Sequence, residues 1–341
     1  MYDYIILTHI PVSYKINLYN ELTRKLNILV IFIAADTCEK RSADFTSLEN
    51  CSFDYKVLND GNFQDRQILK SIKKLKSILK FSKYKLLIVG GWDLPEFWYT
   101  VFKTKKLKNC MVLESTINES KTTGLSGFIK RVFLSRIYKV FASGSLHLAL
   151  LKELNFKRNI KITQGVGIIN KPIFEHKRVE YGKKFLYVGR LSEIKNLEQI
   201  VHIFNGLKSH TLTIIGSGKQ KEYLMSIANE NISFRGAVAN LQLREEFLSH
   251  HIFILPSFIE PWGLVVEEAL YFGMPVIVSD KCGVSEIVND KVNGYLINPS
   301  NEQEIEKIIS SIDDQKYQQL LVGISPISIE IKDSKQVRAY L

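Results

Sequence analysis

Short apolar runs separated by segments of helical period recur along the chain. Tyr4-Ile5-Ile6-Leu7, Ile28 to Ala34, Tyr55 to Leu58, Leu86 to Val89, Cys110 to Leu113, Val140-Phe141-Ala142 and Ile160-Lys161-Ile162 read as successive short strands. Between them lie helical patterns, such as Ile68, Ile72, Leu75 and Leu79 at spacings of four, three and four. Strands alternating with helices predict a mainly parallel sheet with helices on both faces. The pattern then restarts with Phe185 to Val188, Leu212 to Ile215, Ile232 to Phe234, Ile252 to Leu255 and Val276 to Val278. An α/β chain of two doubly wound, Rossmann-like domains is expected. Gly165-Val166-Gly167, then Ile168 to Pro172 and the polar stretch to Lys184, marks the boundary. It predicts domains at 1–168 and 169–341, with the last helices able to pack back on the first. A ligand is expected in the cleft between them, at strand carboxyl ends.

The most informative stretch runs from Ile252 to Ser279. The strand Ile252–Leu255 ends at Pro256-Ser257, and Pro261 suits the first position of a helix whose apolar face is Leu264-Val265-Val266 with Ala269-Leu270. Glu260 is thereby held in a loop at the strand's carboxyl end, and Glu268 sits on the helix with seven residues between them. Gly263 lets a ligand approach the backbone where the free N–H groups of a first helical turn favour an anion. Two carboxylates are good acceptors for vicinal sugar hydroxyls, so the pattern suggests a nucleotide-sugar site. The default alternative is a surface helix with glutamates in its first turns. Gly273-Met274-Pro275 and the strand Val276-Ile277-Val278 follow.

Glu260-x7-Glu268, followed by Ala269 and Gly273-x-Pro275-Val276, resembles the signature of the retaining glycosyltransferases of family 4, whose fold is called GT-B. The resemblance covers residues 185–300 well. Within it, Gly189 gives a tight turn after a strand, and Arg190 and Lys195 place two cations on one loop. Alone these are a reasonable diphosphate clamp, against the default of two solvated charges. The resemblance implies the clamp, because a G-R-L-x-x-x-K-N stretch supplies the diphosphate-binding Arg and Lys in the family. It also implies a glycine turn beneath the nucleotide at Gly216, backbone contact to the base near Arg235, donor-sugar hydroxyls on Glu260 and ribose hydroxyls on Glu268. Glu267 is a neighbouring competitor for that last role, demoted only by the family register. Trp262, a position that is often Phe, belongs to the donor stretch with Gly263 and Leu264. Arg190, Lys195 and Glu260 are the expected catalytic residues. The chain has no D-x-D, so neither a metal nor another cofactor is expected. The glycines after Ile215 form neither a P-loop nor a dinucleotide fingerprint.

Composition narrows the setting. With 45% hydrophobic and 24% charged residues, the chain of 341 reads as globular, and no apolar run approaches the roughly 20 residues of a membrane span. The start Met1-Tyr2-Asp3-Tyr4 lacks a signal peptide's basic region. Cys38, Cys51, Cys110 and Cys282 have no C-x-x-C spacing, which fits a reducing cytosol. Residues 1–170 hold 27 Lys+Arg against 14 Asp+Glu, although the whole chain carries only +11. A basic first half predicts an anionic partner.

The acceptor half is less legible. Thr8-His9-Ile10-Pro11-Val12-Ser13-Tyr14-Lys15 takes the place of the Gly-Gly loop of many relatives. Lys15 could reach a phosphate, its default being a solvated lysine; His9 could be a base or a structural histidine. Glu114, after the Cys110–Leu113 strand, is the preferred acceptor-side carboxylate. Asp93 competes with it, and either could simply cap the following helix. Lys70 to Lys85 and Lys103 to Lys108 are lysine-rich, consistent with a wetted helix face, an anionic membrane surface or both. Interleaved aromatics are few, so nucleic acid is not an expected partner. The expectation is therefore a retaining, metal-independent transferase moving sugar from a nucleoside diphosphate to a lipid-linked glycan, as in O-antigen, capsule or exopolysaccharide synthesis. It would work at the inner face of the cytoplasmic membrane. A GT-B epimerase or a non-catalytic nucleic-acid-binding protein are the alternatives.

Overall fold

The computed structural model describes residues 1–38, 46–173 and 180–341. Of these, the residues up to Asn170 together with Asp333–Leu341 form one unit, and Lys171–Lys332 form the second. The division falls two residues past the expected boundary. Residues 174–179 of the polar stretch lie outside the described residues.

The first unit is built on β1 (Tyr2–Thr8), β2 (Ile28–Phe32), β3 (Asp54–Val57), β4 (Tyr84–Val89), β5 (Asn109–Leu113), β6 (Lys139–Ala142) and β7 (Asn159–Ile162). All pair in parallel, in the order β3-β2-β1-β4-β5-β6-β7. Successive side chains of a strand point to opposite faces, and helices cover both. Ile5 and Leu7 therefore enter one core layer while Tyr4 and Ile6 enter the other. That is why the inner strands β1 and β2 read as continuous apolar runs, whereas the edge strands β3 and β7 carry lysine and are largely exposed. The last helix, Pro326–Tyr340, closes the second layer: Tyr4 donates its hydroxyl to the Tyr340 carbonyl, and Tyr340 stacks on Phe141 at 4.4 Å.

The helix Ile68–Phe81 turns differently from its predicted stripe. Ser71 and Leu75 are its buried residues and Ile78 and Leu79 pack on the core, whereas Ile68 is exposed. Ser71 takes the core position because its hydroxyl accepts from the Asn59 amide and donates to the Gln67 carbonyl.

The second unit contains β8 (Lys184–Val188), β9 (Thr211–Ile215), β10 (Ile232–Gly236), β11 (Ile252–Leu255), β12 (Val276–Ser279) and β13 (Gly294–Ile297), again all parallel, in the order β10-β9-β8-β11-β12-β13. β13 was not expected, since it opens on glycine after a polar run. A Cβ at Gly294 would stand 2.1 Å from the Val276 carbonyl oxygen, so close approach to β12 requires glycine there.

Candidate functional site

In each sheet the strand order reverses once, and a crevice forms at the carboxyl ends of the two strands that part there. In the second unit that point lies between β8 and β11. The loop after β8 carries Gly189, Arg190 and Lys195; the loop after β11 carries Glu260. The structure joins them, with the Lys195 ammonium paired to the Glu260 carboxylate and Phe258 N–H donating to the Ile194 carbonyl at 2.9 Å. Lys195 is 6% exposed, while Arg190 is open to solvent. The two cations therefore differ: one is held by a carboxylate, the other extends freely.

Backbone packing sets these loops. A Cβ at Gly216, whose φ is 143°, would stand 1.8 Å from the Gly189 carbonyl oxygen, and one at Gly218 would stand 2.1 Å from that of Leu191. Leu191 N–H donates to Ser217 at 2.9 Å and Gly216 N–H to Gly236. The turns after β8, β9 and β10 thus lie backbone against backbone, an approach only glycine permits. Tyr187 is fully buried beneath them and donates its hydroxyl to the Arg190 carbonyl at 3.0 Å. Burial, with Glu260 nearby, holds its phenol well above the ordinary value. Arg235, near the carboxyl end of β10, reaches Glu246 at 3.3 Å and is exposed.

The helix after Glu260 is Leu264–Tyr271, three residues later than Pro261 predicts. Gly263 is its N-cap, at φ 105°, and that left-handed turn takes Pro261 out of the helix. Glu268 is half-buried on the helix, and Leu264 opens it. Glu267 points inward with no exposure; it accepts from the Trp262 indole at 2.6 Å and from the Lys332 ammonium at 2.7 Å. Both oxygens of Glu267 are thus bonded inside the protein, whereas Glu268 is partly exposed. Trp262 is 2% exposed, so its ring packs in the core.

The first unit's crevice lies between β1 and β4. His9 follows β1 and Asp93 follows β4, and the two meet at 2.9 Å. Burial pushes the Asp93 carboxyl up, but the hydrogen bond and charge of His9 outweigh it and hold the group below its ordinary value. Asp93 caps no helix: the next one, Pro95–Lys103, has Leu94 as N-cap without a side-chain bond. Nor does Glu114, because the helix that follows it is Gly124–Ser135. Lys15 is not a solvated lysine. It is 8% exposed and stands 2.9 Å from Glu114. Burial alone would lower its pKa; the Glu114 carboxylate overcomes this and keeps the ammonium above the ordinary lysine range.

A second basic feature lies at the amino ends of β1, β4 and β5. A groove of about 700 Å³ is lined by Lys76, Lys80, Lys83, Lys103, Lys105 and Lys108, with no carboxylate in its wall. Phe81 and Leu107, 78% and 71% exposed, stand in the same two lysine-rich segments. Lys74 and Lys85 are committed elsewhere, to the Leu58 carbonyl at 2.5 Å and to Asp3 at 2.7 Å. No helix among the described residues is long and apolar enough to cross a membrane.

Two supporting contacts tie these loops to distant segments. Asn196 adopts φ 57° and ties its loop to the Pro299 carbonyl at 2.9 Å; Gly283 donates to the Glu260 carbonyl at 2.9 Å and would strike the Pro261 carbonyl oxygen if it carried a Cβ. Their partners are too distant along the chain for any local pattern to reveal them.

Two parallel, doubly wound units with these loops define the α/β GT-B fold. Residues 169–321 match the family of glycosyl transferases group 1, so the second unit carries a glycosyltransferase domain. The chain is 29% identical over 184 residues to an uncharacterized glycosyltransferase of Methanocaldococcus jannaschii, a match covering 50% of this chain and 43% of that protein. The match thus spans less than half the length of that curated relative. Among solved structures, HepE of Anabaena in complex with UDP-glucose superposes with a TM-score of 0.73 at 15% identity, covering 99% of both chains. The lipopolysaccharide outer core galactosyltransferase WaaB superposes at 0.66 and 16% identity, over 99% of this chain and 100% of that one.

Proposed function

We propose that this protein is a retaining, metal-independent glycosyltransferase. It moves a sugar from a nucleoside diphosphate to a lipid-linked glycan during synthesis of a cell-surface polysaccharide. The observation that carries the reading is the grouping of Arg190, Lys195 and Glu260 at the switch point of the second sheet, beside the glycine-built floor of Gly189 and Gly216. Departure of a nucleoside diphosphate puts charge on the β-phosphate as the sugar becomes oxocarbenium-like. Arg190 and Lys195 stabilise that charge, the kind of preorganised electrostatic term that is usually largest in catalysis. Lys195 exchanges Glu260 for phosphate as the donor enters, and Glu260 then accepts a sugar hydroxyl. Glu268 takes the ribose hydroxyls, and the nucleotide lies along Gly216 and Arg235. The UDP-glucose bound by HepE and the lipopolysaccharide substrate in the name of WaaB support these assignments by analogy of fold.

On the acceptor side, the Lys15–Glu114 and His9–Asp93 pairs offer polar groups for acceptor hydroxyls. A thermal-shift screen across nucleotide sugars tests the donor assignment. A donor at 100 times its dissociation constant adds about 2.7 kcal/mol of stability. No shift with any nucleotide sugar overturns the reading. Turnover is expected to survive EDTA, since two cations do the work of a metal; loss on chelation with recovery in Mg²⁺ or Mn²⁺ counts against metal independence.

The protein is further proposed to dock on the inner, anionic face of the cytoplasmic membrane through the six-lysine groove. Each lysine near such a surface contributes about 1 kcal/mol, fading within a Debye length. Flotation should show binding to anionic vesicles that weakens with salt and with Lys76, Lys80 and Lys83 changed to Glu. Equal binding to neutral vesicles leaves those lysines as a wetted face.

A further inference from the structure

We propose that Glu267 is a positioning residue for the donor loop, acting with Trp262 and Lys332 as one buried chain. The proposal rests on the donor-site reading above. Val266, Ala269 and Leu270 around it are buried, so the helix pattern calls for an apolar residue at 267. A carboxylate is there instead, with no exposure. Burying an ion pair rarely stabilises more than a well-packed apolar pair of the same volume. The departure from the local rule therefore needs another reason, and the geometry supplies one.

The loop Glu260–Gly263 is held along one side by backbone bonds, from Gly283 N–H to Glu260 at 2.9 Å and from Val284 N–H to Trp262 at 3.0 Å. These fix the Trp262 carbonyl. The indole N–H, donated to Glu267 at 2.6 Å, supplies the second fixed point. Trp262 also lies over Gly283, where an added Cβ would approach Cε3 to 3.1 Å. With the ring pinned, Gly263 keeps its φ of 105° and the N–H groups opening helix Leu264–Tyr271 keep their direction. Glu267's other oxygen is held by Lys332 at 2.7 Å, which stops the carboxylate from rotating and neutralises it. A phenylalanine at 262 would be smaller and would carry no N–H to fix the ring's azimuth. The chain thus sets where Glu260 and the helix end meet the donor.

The test uses the full chain and separates positioning from stability. Trp262→Phe removes the indole N–H and part of the ring volume, and leaves one Glu267 oxygen without that donor. Glu267→Leu combined with Lys332→Met removes the acceptor together with the ammonium that holds it. Thermal unfolding and amide hydrogen exchange are measured without ligand, and donor KM and kcat with UDP-glucose or whichever nucleotide sugar the wild type turns over. We expect near wild-type melting in the double variant and lowered melting in Trp262→Phe; in both, exchange at Gly283 and Val284, whose N–H groups bond the loop, should be faster by about tenfold or more, with a KM raised by about tenfold and a smaller change in kcat. Wild-type exchange and KM in the melting-competent double variant overturn the proposal, and so does an exchange increase spread evenly over the unit. Because exchange needs no donor, a wild type that turns over no nucleotide sugar sinks the proposed activity without touching this result.

Discussion

Replacing Arg190 by alanine is expected to lower turnover by about ten- to a thousandfold, the range for removing one preorganised electrostatic stabiliser. Melting should be unchanged, because the side chain is exposed. Lys195→Ala should lose a similar factor and also stability, by about 1–3 kcal/mol, since it leaves the Glu260 carboxylate, with 19% of its side chain exposed, without its ammonium. The contrast is the informative part. A clamp predicts two active-site defects, of which only one reaches the fold. Kinetics at saturating donor and chemical denaturation of both variants measure it. Near-normal turnover in both, with folding intact, means that the diphosphate is held elsewhere.

Gly216→Ala is expected to have the largest effect on folding, a loss of about 3–5 kcal/mol measured by denaturant unfolding. The added methyl meets the Gly189 carbonyl oxygen at 1.8 Å and the backbone sits at φ 143°, so both contact and conformation oppose it. Relief would require the turns after β8 and β9 to part, which also removes the floor of the donor site. Gly206→Ala serves as control: it ends the helix Leu197–Gly206, has nothing within 4 Å of the new methyl, and should stabilise by up to about 1 kcal/mol. Equal tolerance of the two substitutions would show that the loops have room that the distances deny them.

Parallel strands covered on both faces are apolar at every position, so β1, β2 and β11 announce themselves without knowledge of partners. The glycine turns and the Glu260-x7-Glu268 spacing were legible for a related reason, since each is a local solution to a local requirement of backbone approach or helix start. What sequence could not supply was pairing. Nothing near Lys15 names Glu114, nothing near His9 names Asp93, and the burial that turns Lys15 from a wetted lysine into a held ammonium comes from elements 99 residues apart. Glu267 and Glu268 are adjacent and chemically identical. Only a helix rotation of about 100° between neighbours, with Trp262 and Lys332 waiting on one side, assigns one to the interior and the other to the open face. β13 escaped notice because its glycine is demanded by β12 rather than by its own segment. The chain by itself determined the doubly wound class and the residue types offered at the strand ends, because these follow from local periodicity and turn chemistry. Tertiary structure decided which charges meet, since electrostatic partners are chosen by distance in space and leave no period along the sequence.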